Sequence, residues 1–304
     1  MKQFKSIVHS AAKKGTGRVV VAGGDDPSSL QAVQMAMREN MVEAILVGDA
    51  KTIQRECGQM GFHPQEIVDA QSPQEIAEKS VRAIHEKGAN TLMKGSIKTA
   101  DLLRAVLDKQ WGLRKAPLLS HAAVLDVPIL DRLIFVTDGG MVIHPTLEEK
   151  VTLIRNAVEL AMSLGIPVPR VACITAVEVV NPSMPETLDA ALLAKMNERG
   201  QIPDCVVEGP LGIDIALSER AAKIKKVESV VAGKADILLV PDIHSGNFLG
   251  KSVEYIGGGT IAGLIMGAQV PVVIVSRADQ ADAKLASLAL ATLMAPKQGG
   301  NEDA

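Results

Sequence analysis

Aromatic side chains are nearly missing from this chain. They make up 2% of it, as four Phe, one Tyr and one Trp. Stacking platforms for single-stranded nucleic acid need several exposed rings, so that function class is set aside. The core must be built from Val, Ile, Leu, Ala and Met, and an apolar content of 47% is ample for it. Cysteine is scarce too, with only Cys57, Cys173 and Cys205. The number is odd and no two share a CxxC spacing, which argues against a disulfide framework. Cys173 and Cys205 fall in predicted strands and read as buried free thiols. No apolar stretch is long enough to span a bilayer. The first residues, MKQFKSIVHSAAKKG, lack the apolar core of a signal peptide, so the expectation is a soluble cytoplasmic protein. Strong charge of either sign is absent as well. A net charge of −3 gives no general attraction to nucleic acid or anionic membranes. A phosphate-bearing ligand would have to be held by local donors.

What is present is a steady alternation of strands and helices over 304 residues, a length that predicts about two domains. Most predicted strands are continuous apolar runs, such as Arg18 to Ala22, Ala44 to Val47 and Ile237 to Val240. Runs of that kind predict a mostly parallel sheet buried on both faces. Two consecutive strands, Leu118 to Leu125 and Leu133 to Thr137, break the alternation and mark the seam between domains. The expected division is 1-130 plus 279-304 for the first α/β domain and 131-278 for the second. The strand Cys205 to Val207 is expected to end in a Glu208-Gly209-Pro210 turn. A helix is expected from Ser252 to Met266; its three glycines, Gly257 to Gly259, either interrupt it or allow close packing, and packing is the preferred reading. Each costs about 1 kcal/mol of helix propensity relative to Ala.

Chemistry is expected at strand ends, where an open α/β sheet places its ligand. The stretch Ala235 to Lys251 organises this reading. A buried strand stops at Pro241-Asp242, a small polar turn His244-Ser245-Gly246-Asn247 follows, and Lys251 opens a helix. Lys94-Gly95-Ser96, with Lys98 and Thr99, offers two cations, two hydroxyls and helix-start N–H groups, a reasonable anion site. The same residues would serve as a capped helix start with solvated lysines. Neither a Walker loop nor GxGxxG is present. Asp138-Gly139-Gly140 reads first as a turn, and could also approach a ligand by its backbone or coordinate a hard cation. Val275-Ser276-Arg277-Ala278-Asp279, with Asp282 three residues on, places a hydroxyl, a guanidinium and acids at a helix start. Arg suits bidentate phosphate recognition. His121, His144 and His244 lie near strand ends without a metal-ligand spacing, and no metal site is expected.

These pieces, read together, resemble the phosphate acetyl/butyryltransferase family. DILLVPDIHSGN with Lys251, PVVIVSRAD, MKGSIKT, LLRAVLD, WGLR, LLSHAAV, FVTDGGMVIHPTLEEK and VEGPLGIDIAL all occur in the family order. AVEVVNPSMPETLDAA and RGQI are closer to the butyryl-type branch. The resemblance implies the reversible reaction of a short acyl-CoA with inorganic phosphate to give acyl phosphate and CoA. It implies two α/β/α domains with a cleft between them, the isocitrate/isopropylmalate dehydrogenase-like fold. It also implies a homodimer or larger homo-oligomer joined through the second domain. CoA and phosphate are then substrates, and no cofactor is needed. By match to the family motifs, Ser276 and Arg277 belong to the reaction centre, with Asp282 or Asp279 as the base. Arg104 would bind CoA or phosphate beside Lys94 and Ser96. Ser245, Gly246 and Asn247 would line the cleft.

The sequence departs from the family at three points, one of them the unusual Gly257 to Gly259 triplet. Acetyl-type enzymes carry an acid where this chain has Ala283, and Ile215 stands where butyryl-type sequences have Asn. Three alternatives stand beside the butyryl reading. One is a phosphate acetyltransferase of broader acyl range. Another is a CoA- or phosphate-binding protein without turnover. The third is a decarboxylating dehydrogenase, which would need an Asp cluster for a metal and a nucleotide loop; the sequence offers neither.

Overall fold

The computed structural model describes residues 3–15, 17–275 and 281–295. The chain forms two compact units. One comprises Phe4–Pro117 with the chain from Ala262 onward, and the other Leu118–Ile261. The divisions thus fall after Pro117 and Ile261, where the sequence suggested 130 and 278.

The N-terminal unit opens with α1 (Phe4–Lys14), β1 (Gly17–Ala22), α2 (Pro27–Arg38), β2 (Val42–Gly48) and α3 (Ala50–Met60). β3 (Glu66–Asp69), α4 (Pro73–Glu86), β4 (Thr91–Lys94) and α5 (Thr99–Val106) follow. The helix starts are set by local chemistry. Asp26, Asp49 and Ser72 each accept a backbone N–H from their own first turn, and Pro27 and Pro73 occupy first helical positions. Pairing is parallel from β3 through β2 and β1 to β4. β1 and β4 bury nearly every residue, as strands covered on both faces must. The polar β3 lies at the sheet edge.

The second unit contains β5 (Ser120–Asp126), β6 (Ile134–Thr137), α6 (Leu147–Ser163), β7 (Arg170–Ile174), α7 (Pro185–Glu198) and β8 (Val206–Leu211). It continues with α8 (Ile213–Leu217), α9 (Glu219–Lys225), β9 (Ile237–Leu239) and α10 (Ile243–Tyr255). Its strands run in the order β5-β6-β9-β7-β8. β5 and β6 pair antiparallel, with Ala123 opposite Val136. The chain then returns to the first unit through β10 (Thr260–Met266), β11 (Val272–Val273) and α11 (Ala281–Met294).

Three expectations are corrected, and one element is new. β8 runs through Glu208-Gly209-Pro210 to Leu211 rather than turning at Glu208. Pro210 is tolerated there because β8 is an edge strand, and its pairing with β7 shifts register near Ala172. The short helix α8 was not anticipated. α10 starts at Ile243 rather than Lys251, because Asp242 caps it. The helix expected from Ser252 to Met266 stops at Tyr255, and Thr260–Met266 is a strand. The glycines explain the break: Gly258 takes φ +62, which disfavours other residues, and the helix does not pass through it.

Candidate functional site

The organising stretch becomes a capped helix start. β9 delivers the chain to Asp242, whose Oδ1 accepts the backbone N–H of Ser245 at 2.8 Å and its hydroxyl at 2.9 Å. Burial pushes the Asp242 carboxyl up. The two Ser245 bonds and the nearby His244 and His144 outweigh that and hold it below its usual value. Ser245, Gly246 and Asn247 therefore share one helical turn, with Gly246 buried and Asn247 exposed. The Ser245 hydroxyl is engaged by the cap. His244 lies beside two rings, 6.4 Å from that of His144 and 6.3 Å from that of Phe248.

This turn rests on the loop after β6. Asp138, 1% exposed, accepts the backbone N–H groups of His121 at 2.8 Å, Gly140 at 2.7 Å and Met141 at 2.8 Å. Gly139 then meets Gly246 backbone to backbone, and Asn247 Nδ2 donates to the Gly139 carbonyl at 3.4 Å. The sequence marks Asp138-Gly139-Gly140 as a turn able to approach a ligand by its backbone, and does not show that it packs on α10. The signal for more was a double glycine following an acid at a strand end.

In the N-terminal unit, Lys94 ends β4 and Ser96 lies in the turn that leads to α5. Lys94 is buried, and its ammonium donates to the carbonyls of Gly95 at 3.0 Å and Ile97 at 3.2 Å. Ser96 donates its hydroxyl to Asp25 at 2.6 Å and its N–H to the Gly23 carbonyl at 2.9 Å. These bonds tie the KGS turn to the loop after β1. Arg104 sits one turn into α5, 70% exposed and paired with Asp101 at 2.9 Å. It lines a cavity of about 180 Å³ with Asp101, Asp108, Glu78 and Trp111. The Arg82 guanidinium stacks over the Trp111 ring at 5.3 Å.

Ser276, Arg277 and Asp279 lie outside the described residues. Asp282 is exposed in the first turn of α11, while Ala283 beside it is packed inward. Two buried lysines escaped sequence reasoning, which had no local pattern to mark them. Lys284 is 1% exposed and bonds the Ser28 hydroxyl. Lys150 on α6 pairs with Asp189 on α7 at 2.6 Å. Among the described residues no cluster of three His, Cys, Asp or Glu could hold a metal ion. No described helix is long and apolar enough to cross a membrane.

Alternating α/β units, polar residues gathered at strand ends and capped helix starts beside them define a ligand-binding α/β protein. The family model described as phosphate acetyl/butaryl transferase matches residues 3–88 and 65–292, and the chain belongs to that family. It is 43% identical to the phosphate butyryltransferase of Clostridium acetobutylicum over 297 residues, 97% of this chain and 99% of the relative. It is 40% identical to the phosphate acetyltransferase of Thermotoga maritima over 96% of this chain and 99% of the relative. Among solved structures, a branched-chain phosphotransacylase from Enterococcus faecalis superposes with a TM-score of 0.83 at 32% identity. That match covers 91% of this chain and 98% of the other.

Proposed function

We propose that this protein moves a short acyl group between CoA and inorganic phosphate, with butyryl-CoA and phosphate giving butyryl phosphate and CoA, reversibly. The observation that carries the reading is the match to a phosphate butyryltransferase at 43% identity over nearly the whole chain. The branched-chain phosphotransacylase likeness favours an acyl group longer than acetyl. CoA and phosphate act as substrates, with no metal or redox cofactor, in the cytoplasm.

In the forward direction a phosphate oxygen attacks the thioester carbonyl carbon. Charge collects on the carbonyl oxygen. The C–S bond then breaks, and the sulfur leaves as thiolate and takes a proton. Donors aimed at that oxyanion are worth more than donors to the ground state. We assign Arg277 to phosphate and the oxyanion, and Ser276 to the carbonyl oxygen or the thiol. Asp282, exposed in the first turn of α11, is assigned as the acid that exchanges the proton. Arg104, Lys94 and Ser96 are assigned to the anionic parts of the substrates, and Ser245, Gly246 and Asn247 to CoA. The slightly acidic chain makes such focused donors necessary.

We also infer a homodimer or larger assembly joined through the second unit. Val179, Val180, Leu188 and Leu192 are all exposed there, which supports it. Sedimentation equilibrium showing only monomer at micromolar concentration would remove that part. The function itself is tested with a panel of acyl-CoA esters from acetyl to hexanoyl, branched forms included. Phosphate-dependent thiol release should peak at butyryl or a branched analogue. A peak at acetyl would move the protein to the acetyl type. CoA binding without release would leave a binding protein.

A further inference from the structure

The loop after β6 does more than turn the chain. Asp138 spends its buried carboxylate on three backbone N–H groups, which fixes residues 138–141 in one shape. That shape presses Gly139 against the first turn of α10. A Cβ on Gly139 would lie 2.7 Å from the Gly246 carbonyl carbon and 3.0 Å from the Asn247 nitrogen. A Cβ on Gly246 would lie 2.7 Å from the Gly139 Cα and 2.9 Å from the Asp138 carbonyl oxygen. Neither position can carry a side chain unless the backbone moves. Two further bonds close the seam: Asn247 Nδ2 to the Gly139 carbonyl at 3.4 Å, and the Ile243 N–H to the Ile143 carbonyl at 3.1 Å. Such tight contact exceeds what a helix cap requires, since Asp242 already caps α10.

The exposed groups of the turn indicate what meets it. Asn247 presents an amide, His244 an imidazole and Phe248 a ring. The Asp242 carboxylate already caps this turn through the N–H and hydroxyl of Ser245. An exposed amide and ring beside a first turn whose Ser245 N–H is already capped suit a neutral chain of amides and methylenes. We propose that Asp138 and Gly139 form a positioning element that sets the first turn of α10 to hold the neutral pantetheine arm of CoA. This rests on the acyltransferase reading and names the part of the substrate that the turn takes. Asp138 and Gly139 act through α10 and touch no reacting atom.

The test is steady-state kinetics on Gly139→Ala, Asn247→Ala and the double variant, each with its melting temperature. A displacement of near 1 Å at a binding turn costs up to about 100-fold. Gly139→Ala should therefore raise KM for the CoA ester at least about tenfold, with kcat and KM for phosphate within about threefold of wild type. The double variant should lose less than the product of the single losses, because both act through one turn. Asp138→Asn sets an amide N–H against backbone donors and should reproduce the KM rise, which covers the case of a Gly139→Ala chain that fails to fold. Gly58→Ala on α3, where a Cβ meets nothing within 4 Å, is the neutral control. A rise in KM for phosphate instead of the CoA ester overturns the proposal, and so does a fully multiplicative double variant. If wild type shows no turnover, CoA affinity by calorimetry replaces KM in the same comparison. Loss of the reaction and loss of the positioning role are then read separately. A wild type that binds no CoA overturns both.

Discussion

Removing the Asp189 charge should cost far more than removing its partner Lys150. The two lie 2.6 Å apart, with side chains 29% and 6% exposed, respectively. They bridge α6 and α7 beside Cys173 and a small cavity. Asp189→Asn keeps the shape and an acceptor oxygen but leaves a buried ammonium without a counter-charge. Breaking a fully buried pair costs about 3–5 kcal/mol. Water reaches Asp189 in part, so we expect about 2 kcal/mol here. Lys150→Met fills nearly the same volume and leaves a carboxylate that solvent can reach, so the expected cost is below about 1 kcal/mol. The double variant Lys150→Met/Asp189→Leu should return close to wild type. Urea denaturation at pH 7 gives all three values, and the Asp189→Asn melting temperature should fall by about 4–8 °C. Equal costs for the two single variants, or less than about 0.5 kcal/mol for Asp189→Asn, would refute the reasoning, because the ammonium would then be solvated.

The remaining predictions concern thiols, acid stability and the reaction centre. Burial pushes the Cys173 thiol up to about 12 and Cys205 to about 11, and it also raises Cys57. At pH 8 Cys173 should be thiolate in about one molecule in ten thousand, so intact-mass labelling should leave it unmodified until the chain is denatured, and rapid native labelling would contradict this. Asp242 is held below its usual carboxylate value, so its contribution is present above the unfolded value, about 3.9, and is lost as pH falls through the folded value. Asp242→Asn should keep the cap at pH 7 yet flatten the fall in melting temperature below pH 5, whereas Asp242→Ala should lose about 1 kcal/mol at pH 7. An unchanged acid limb in Asp242→Asn would count against the assignment. Arg277→Ala should lower kcat by about 100- to 1,000-fold, and a retained rate would refute the role given to Arg277.

Much of the fold was legible because its rules are local. Apolar runs such as Val19 to Ala22 mark strands buried on both faces, and Ser72-Pro73 with Glu75 marks a helix start. Errors came where a long-range partner decided the outcome. Pro210 remains in a strand because β8 is an edge, a fact that no window around Pro210 contains. The glycines at 257–259 fitted either packing or interruption. Gly259 shows why both were open: a Cβ there would lie 2.7 Å from Val253 and 2.8 Å from the Asp126 carbonyl, yet the helix has already ended. The site divides in the same way. Family motifs marked Ser245 to Asn247, and the structure places them in one helical turn. The sequence showed Asp138 and Gly139 as a turn that could approach a ligand, but not their contact with Gly246, more than a hundred residues away.

The central claim is acyl transfer to phosphate, and the product itself tests it most directly. The enzyme is incubated with butyryl-CoA and ³²P-labelled phosphate, and butyryl phosphate is quantified beside the free thiol. The account predicts labelled butyryl phosphate and CoA in equal amounts, both absent without phosphate. Thiol released without labelled acyl phosphate, or no release from any short acyl-CoA, would contradict it.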